Sequence, residues 1–159
     1  MYYTPTPGAS VFTEVGKGFH VTRASATLPQ TVADPGEALF TISGGRVLIT
    51  RFFGTVTDTI AATDPVLSVT SAPTVGTAVV LASTADIKDK EIGAHASIEG
   101  DGTALVLSNA GAILATAIPC FCVVPVGTIG LISGDSQTGS MSWELFYFPL
   151  DAGAAVVAA

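Results

Sequence analysis

Gly139-Ser140-Met141-Ser142-Trp143-Glu144-Leu145-Phe146-Tyr147-Phe148-Pro149 alternates large apolar and smaller or polar side chains, then stops at proline. Successive side chains of a strand point to opposite faces, so Met141, Trp143, Leu145 and Tyr147 share one face. A ten-residue run with that period predicts a long strand with a buried side, and Trp143 reads first as a core residue of a sandwich, with an interface or ligand anchor as the alternative. Pro149 has no N–H to offer a ladder and ends the run.

Working outward, the same signals recur. Leu39-Phe40-Thr41-Ile42 leads through Ser43-Gly44-Gly45 into Arg46-Val47-Leu48-Ile49-Thr50-Arg51-Phe52-Phe53. Two β-rich runs joined by Gly-Gly predict a hairpin, since glycine supplies the positive φ of a tight turn. Gly54 marks a bend or bulge before Thr55–Ile60. Further strands are expected at Val66–Thr70, closed by Ala72-Pro73, and at Thr77–Leu81, Ala94–Ile98, Ala104–Leu107, Phe121–Val124 and Thr128–Ile132. The turn Glu99-Gly100-Asp101-Gly102 separates two of them. Ser83–Glu91 holds the densest charge and is expected to be a short helix, capped by Ser83 or Thr84, or a surface loop. Short strands at regular spacing predict an all-β chain, a single β-sandwich or barrel of jelly-roll-like kind.

Residues 1–36 differ. Pro5, Pro7, Gly8, Pro29, Pro35 and Gly36 punctuate them, and no long alternation develops. They are expected to form an extended N-terminal arm, followed by a β-domain over 37–151 and a small apolar tail over 152–159. Val11-Phe12 and Phe19-His20-Val21 are short apolar spots in the arm, and Tyr2, Tyr3, Val11, Phe12 and Phe19 are the candidate partner interface. Deleting residues 1–30 is expected to leave a folded β-domain that attaches less well to its partner.

Composition narrows the function. The 159 residues are 48% hydrophobic but only 12% charged, with a net charge of −7. Folded domains ordinarily carry about a quarter charged residues, so part of this surface is expected to be covered by other subunits. Six Lys and Arg cannot make the basic footprint that phosphate neutralisation needs, and the negative sign disfavours anionic membranes. The uncharged stretch Ala110–Ser133 is broken by Gly111, Pro119, Pro125, Gly127 and Gly130, so it reads as strands rather than a membrane span. The first five residues, Met1–Pro5, lack the basic and apolar regions of a signal peptide.

No reactive cluster emerges. His20 and His95, the two histidines, are far apart, and no Gly-x-Ser-x-Gly elbow accompanies them. Cys120 and Cys122 would share a strand face but are too close for disulfide geometry, and a metal site would need more ligands than they supply. Asp86, Asp89 and Glu91, or Glu99 with Asp101, lack the spaced oxygens of a calcium loop. Ser43-Gly44-Gly45-Arg46 precedes a strand, not the helix a phosphate loop requires. Paired carboxylates for glycoside work are undefined by any motif, and one Trp with three Tyr offers few sugar platforms. The expectation is a non-enzyme without metal or cofactor.

Two segments resemble a family of small virion structural proteins of siphovirus-type tailed phages. One is Leu39–Thr50 with Gly54-Thr55-Val56-Thr57. The other is Gly127-Thr128-Ile129 with Thr138–Asp151 and Gly153-Ala154. Pro73–Thr77 and Ala85-Asp86-Ile87 are similar as well, so the resemblance spans roughly residues 38–157. It implies a virion component assembled in the host cytoplasm. The first reading is a capsid decoration (cement) protein on the phage head surface, clipped over joints between major capsid proteins, commonly as a homotrimer. Direct nucleic-acid and membrane contacts are not expected. The alternatives are another virion part, such as a tail-tube, head-fibre or turret subunit, and a carbohydrate-binding or hydrolytic β-module.

Overall fold

A computed structural model of the chain describes residues 18–29, 32–60, 66–108, 122–134 and 138–159, with the backbone alone for 32–35. The described residues form eleven strands and no helix: β1 (Phe19–Thr27), β2 (Val32–Ser43), β3 (Val47–Asp58), β4 (Val66–Pro73), β5 (Val79–Asp86), β6 (His95–Ser97), β7 (Val106–Leu107), β8 (Cys122–Val124), β9 (Gly127–Ser133), β10 (Ser140–Pro149) and β11 (Ala155–Ala158). Two antiparallel sheets pack face to face. One, here sheet A, runs β1-β10-β3-β6-β7 with β8 also on β3, and the other, sheet B, runs β11-β2-β9-β4-β5. The chain is thus a β-sandwich rather than a closed barrel. With β7, β8 and β11 set aside, the orders β1-β10-β3-β6 and β2-β9-β4-β5 are those of a jelly roll, in which the chain changes sheet at almost every step.

The alternation in β10 does what its sequence predicts. Met141, Trp143, Leu145 and Tyr147 are all buried, while Ser142, Glu144, Phe146 and Phe148 on the other face are half-buried. Across the sandwich they meet Phe40 and Ile42 of β2, Ile129 and Leu131 of β9, and Leu67 and Val69 of β4 within one core. Phe40, Phe52 and Trp143 form an edge-to-face ladder between the sheets, with centroids 5.7 Å apart at each step. Such geometry adds about 0.5–1.5 kcal/mol per pair beyond burial.

Gly44-Gly45 does not close a hairpin. β2 pairs with β9 and β11, whereas β3 pairs with β10, β6 and β8, so the two runs belong to different sheets. Both strands bury one side, and a corner lets those sides face each other across the core. Gly44 (φ 72°) and Gly45 (φ 152°) make that corner, Gly44 lying against the Gly153 carbonyl and Gly45 against Asp151. Gly54 likewise is not a bend. It pairs in register with Trp143 inside a continuous β3, where a Cβ would stand 2.7 Å from the indole and from Met141 Cε. Glycine is there because the Trp143 ring lies over its backbone.

The segment Ser83–Glu91 is no helix either. Ser83–Asp86 finishes β5, whose outer edge takes the β6–β7 connection: Gly102 N–H donates to Leu81 O (3.2 Å) and Ser83 N–H to Thr103 O (2.9 Å). Asp86 Oδ1 then accepts Lys88 N–H (2.8 Å), and Asp89 takes a left-handed φ of 55°, a local turn that strand pairing leaves no room to wind into a helix.

The boundaries expected at 36 and 151 move. Residues 19–27 pair with β10 along the edge of sheet A, and β2 begins at Val32, so only residues ahead of Gly18 could lie apart from the body. Arg23 of β1 turns inward and donates to Glu37 of β2 (3.1 Å), tying the two sheets together. Truncation at residue 30 would therefore remove a structural strand. At the other end β11 pairs with β2 and buries Val156, whose N–H donates to Tyr147 Oη at 3.2 Å.

Candidate interaction surface

The strands run between two unlike ends. At one, the end of β3 and the turn after β5 carry Asp58, Asp86, Lys88, Asp89, Lys90 and Glu91, and the Ile60–Lys90 bridge closes the sandwich. At the other, the starts of β3, β5 and β9 meet the ends of β4, β8 and β10, and there the surface is apolar.

Proline and valine build this second end. β4 stops at Pro73, and Thr74 then donates its N–H (2.8 Å) and its hydroxyl (3.2 Å) to Val126 O, fastening the β4–β5 connection to the turn between β8 and β9. That turn, Pro125-Val126, leads to Gly127, which sits against the Ala72 carbonyl. The result displays Val75, 90% exposed, with Val79 (59%) and Val123 (56%). Solitary exposed valines are ordinary; several converging on one end of a small domain are the signature of a contact surface.

Two depressions lie here and share Pro125. One is bounded by Gly45, Arg46, Thr74, Val75, Pro125, Val126 and Asp151. The other is a narrower groove of about 180 Å³ whose walls include Pro73, Val79, Leu81, Val123 and Pro125. Among the described residues of the two linings, Arg46 and Asp151 are the only charged ones, and they neutralise each other. Arg46 Nε donates to Asp151 Oδ2 (2.9 Å), Nη2 to Oδ1 (2.8 Å), and the Arg46 backbone N–H to Oδ2 (2.7 Å). These bonds, the guanidinium's first and the backbone's second, hold the Asp151 carboxyl far below the usual carboxylate range.

Of the residues singled out from sequence, Tyr2, Tyr3, Val11 and Phe12 lie outside the described residues. Phe19 is exposed on β1, its ring 5.5 Å from Tyr147, at the edge of sheet A opposite β8. The structure therefore brings it to the same pole as the valines but to the opposite edge of sheet A. Trp143 is in the core. His20 and His95 are separate: His20 Nε2 bonds Glu144 Oε2 (2.9 Å) and stacks on Phe146, while His95 Nδ1 bonds Thr55 Oγ1 (3.0 Å). Asp101 accepts the Thr103 hydroxyl (2.6 Å) and N–H (2.9 Å), which lowers its pKa, and Asp86 is engaged by Lys88. Cys122 lies half-buried on β8; Cys120 is outside the described residues. Among the described residues no three His, Cys, Asp or Glu side chains come together as a metal site.

Sequence reading missed the valine end, because Val75, Val79, Val123 and Val126 come from two segments about fifty residues apart. The available sign was a proline beside each pair: Val75 and Val79 follow Pro73, and Val123 and Val126 flank Pro125. Compared with protein-family models, curated proteins and solved structures, the chain matches none.

Proposed function

We propose that this chain is a structural protein of a tailed-phage virion, a head decoration protein that acts by contact rather than catalysis. The observation that carries the reading is the valine end, a cluster of exposed apolar side chains whose one charged pair is internally neutralised. A chain of net charge −7 repels other acidic surfaces. It can meet another protein closely where no uncompensated charge must be desolvated. The jelly roll suits this use, since two sheets locked by a common core hold the valines on a rigid frame, and rigidity lowers the ordering cost of binding. The partners are major capsid proteins at their joints, with a homotrimer of this chain as the bound unit. Apolar contact across such a joint opposes the outward pressure of packed DNA.

The test is binding of the purified chain to expanded, DNA-free heads of the parent phage. Saturable binding at a stoichiometry set by the capsomers is expected. The double variant Val75→Asp/Val126→Asp should weaken it about tenfold or more, because an unpaired carboxylate must then be desolvated within an apolar contact. Intrinsic Trp143 fluorescence would verify that the variant is folded. Absence of binding to heads, with the chain found in few copies in tail fractions, would overturn the decoration role.

A further inference from the structure

Asp101-Gly102 is the one Asp-Gly pair in the sequence, and its turn calls for the glycine. Gly102 has a φ of 84°, a left-handed conformation that side chains with a Cβ rarely adopt. The same glycine creates a chemical weakness, since no Cβ shields its backbone nitrogen from the carboxyl group before it. That carboxyl can close on the nitrogen. The Gly102 N–H gives up its proton, an N–Cγ bond forms, and the Cγ–OH bond of the protonated Asp101 breaks, the hydroxyl leaving with a proton as water. Water then opens the succinimide at either carbonyl. One opening restores aspartate, and the other leaves isoaspartate, with the main chain routed through the side-chain carboxyl.

Both reacting groups are engaged in the folded chain. Gly102 N–H donates to Leu81 O of β5 (3.2 Å), so the nucleophile is held away from rotation and keeps its proton. Asp101 Oδ1 accepts the Thr103 hydroxyl (2.6 Å) and the Thr103 N–H (2.9 Å). The hydroxyl first and the N–H second favour the ionised form and hold the carboxyl below its ordinary pKa. Ionised, it is a poor electrophile, because only the acid can release water. Ser83 N–H donates to Thr103 O (2.9 Å) and fastens the following peptide to β5 as well.

We propose that Asp101–Gly102 is a masked isomerisation site, closed to succinimide formation while its turn is docked on β5, with the Thr103 hydroxyl as the latch. An isoaspartate lengthens the main chain by one carbon, so Gly102 and Thr103 would no longer meet Leu81 and Ser83 in their present register. The outer edge of β5 would lose its cover and become a template for pairing with other chains. The site is independent of any virion role.

Prolonged incubation of the full-length protein in warm neutral buffer tests this. The protein is then denatured and digested with an endoprotease that cuts before aspartate but not before isoaspartate. Mass spectrometry reads the fraction left uncut at the Gly100–Asp101 bond. The parent chain incubated in urea supplies the rate of the open site. Reaction in the folded chain follows the population of the opened turn, and losing a hydrogen bond to a charged group raises that population about tenfold. Thr103→Val should therefore isomerise about tenfold faster than the parent, while Thr103→Ser, which keeps the hydroxyl, should match the parent. Should Thr103→Val loosen the body, Trp143 fluorescence would show it, and the folded parent against the parent in urea still decides. A folded parent that isomerises as fast as the chain in urea overturns the proposal. So does a folded Thr103→Val variant that isomerises no faster than the parent.

Discussion

At Gly54 a missing side chain is what lets the largest one be buried. The Trp143 ring is 1% exposed and lies across the Gly54 backbone, flanked by Phe52 at 5.7 Å. A methyl group at position 54 would meet Met141 Cε, which can swing aside, and Trp143 Cζ3 at 2.7 Å, which cannot without leaving the aromatic ladder. Gly54→Ala should therefore destabilise the fold by about 1–3 kcal/mol, the usual range for overpacking a filled core. Urea unfolding followed by Trp143 fluorescence checks this, and an unchanged midpoint would show that the ring moves freely. The same reasoning explains why a glycine between strand-forming neighbours, Phe53 and Thr55, reads as a bend in sequence: its occupant, Trp143, is 89 positions away.

Between elements, the Arg46–Asp151 pair joins the start of β3 to the turn between β10 and β11, beside the Gly44-Gly45 corner. Because the folded carboxyl titrates below its unfolded value, the unfolded state takes up a proton first as pH falls. The pair's stabilisation is thus whole above about pH 5, where unfolded Asp is ionised, and fades as pH falls through the ordinary Asp range toward the depressed folded value. Asp151→Asn should flatten the dependence of the melting temperature on pH between about 5 and 3; equal slopes for both proteins would discount the pair. Its exposure makes salt lower the effect. The elements divide by how local their cause is. β10 is legible because Met141, Trp143, Leu145 and Tyr147 carry their period within ten residues. The corner is not, because Gly44-Gly45 permits either a hairpin or a change of sheet, and the choice rests on Gly153 and Asp151. β11 is hidden in Ala-Val-Val-Ala, whose small side chains acquire meaning only against β2. β1 escapes notice because its inward residues are Val21, Arg23 and Ala26, a weak alternation that pairing with β10 completes. The valine end is legible only in fragments.

For the whole molecule, the jelly roll requires its sheet partners to come from opposite ends of the chain. β1 pairs with β10 through Phe19↔Tyr147, a separation of more than a hundred residues, and β2 pairs with both β9 and β11. Closing such loops costs entropy before any contact offsets it. Refolding should accordingly take milliseconds to seconds or longer, as for other sandwiches dominated by distant pairings. Stopped-flow Trp143 fluorescence checks this, and a microsecond phase carrying the full amplitude would contradict it. The unlike ends described above have a practical corollary. If the valines grip a partner, the Lys88–Lys90 turn at the opposite pole projects away from it, hydrated and held by Asp86. A foreign loop or an affinity handle grafted there would stand clear of the docked face, giving the molecule a built-in grip and a built-in free tip.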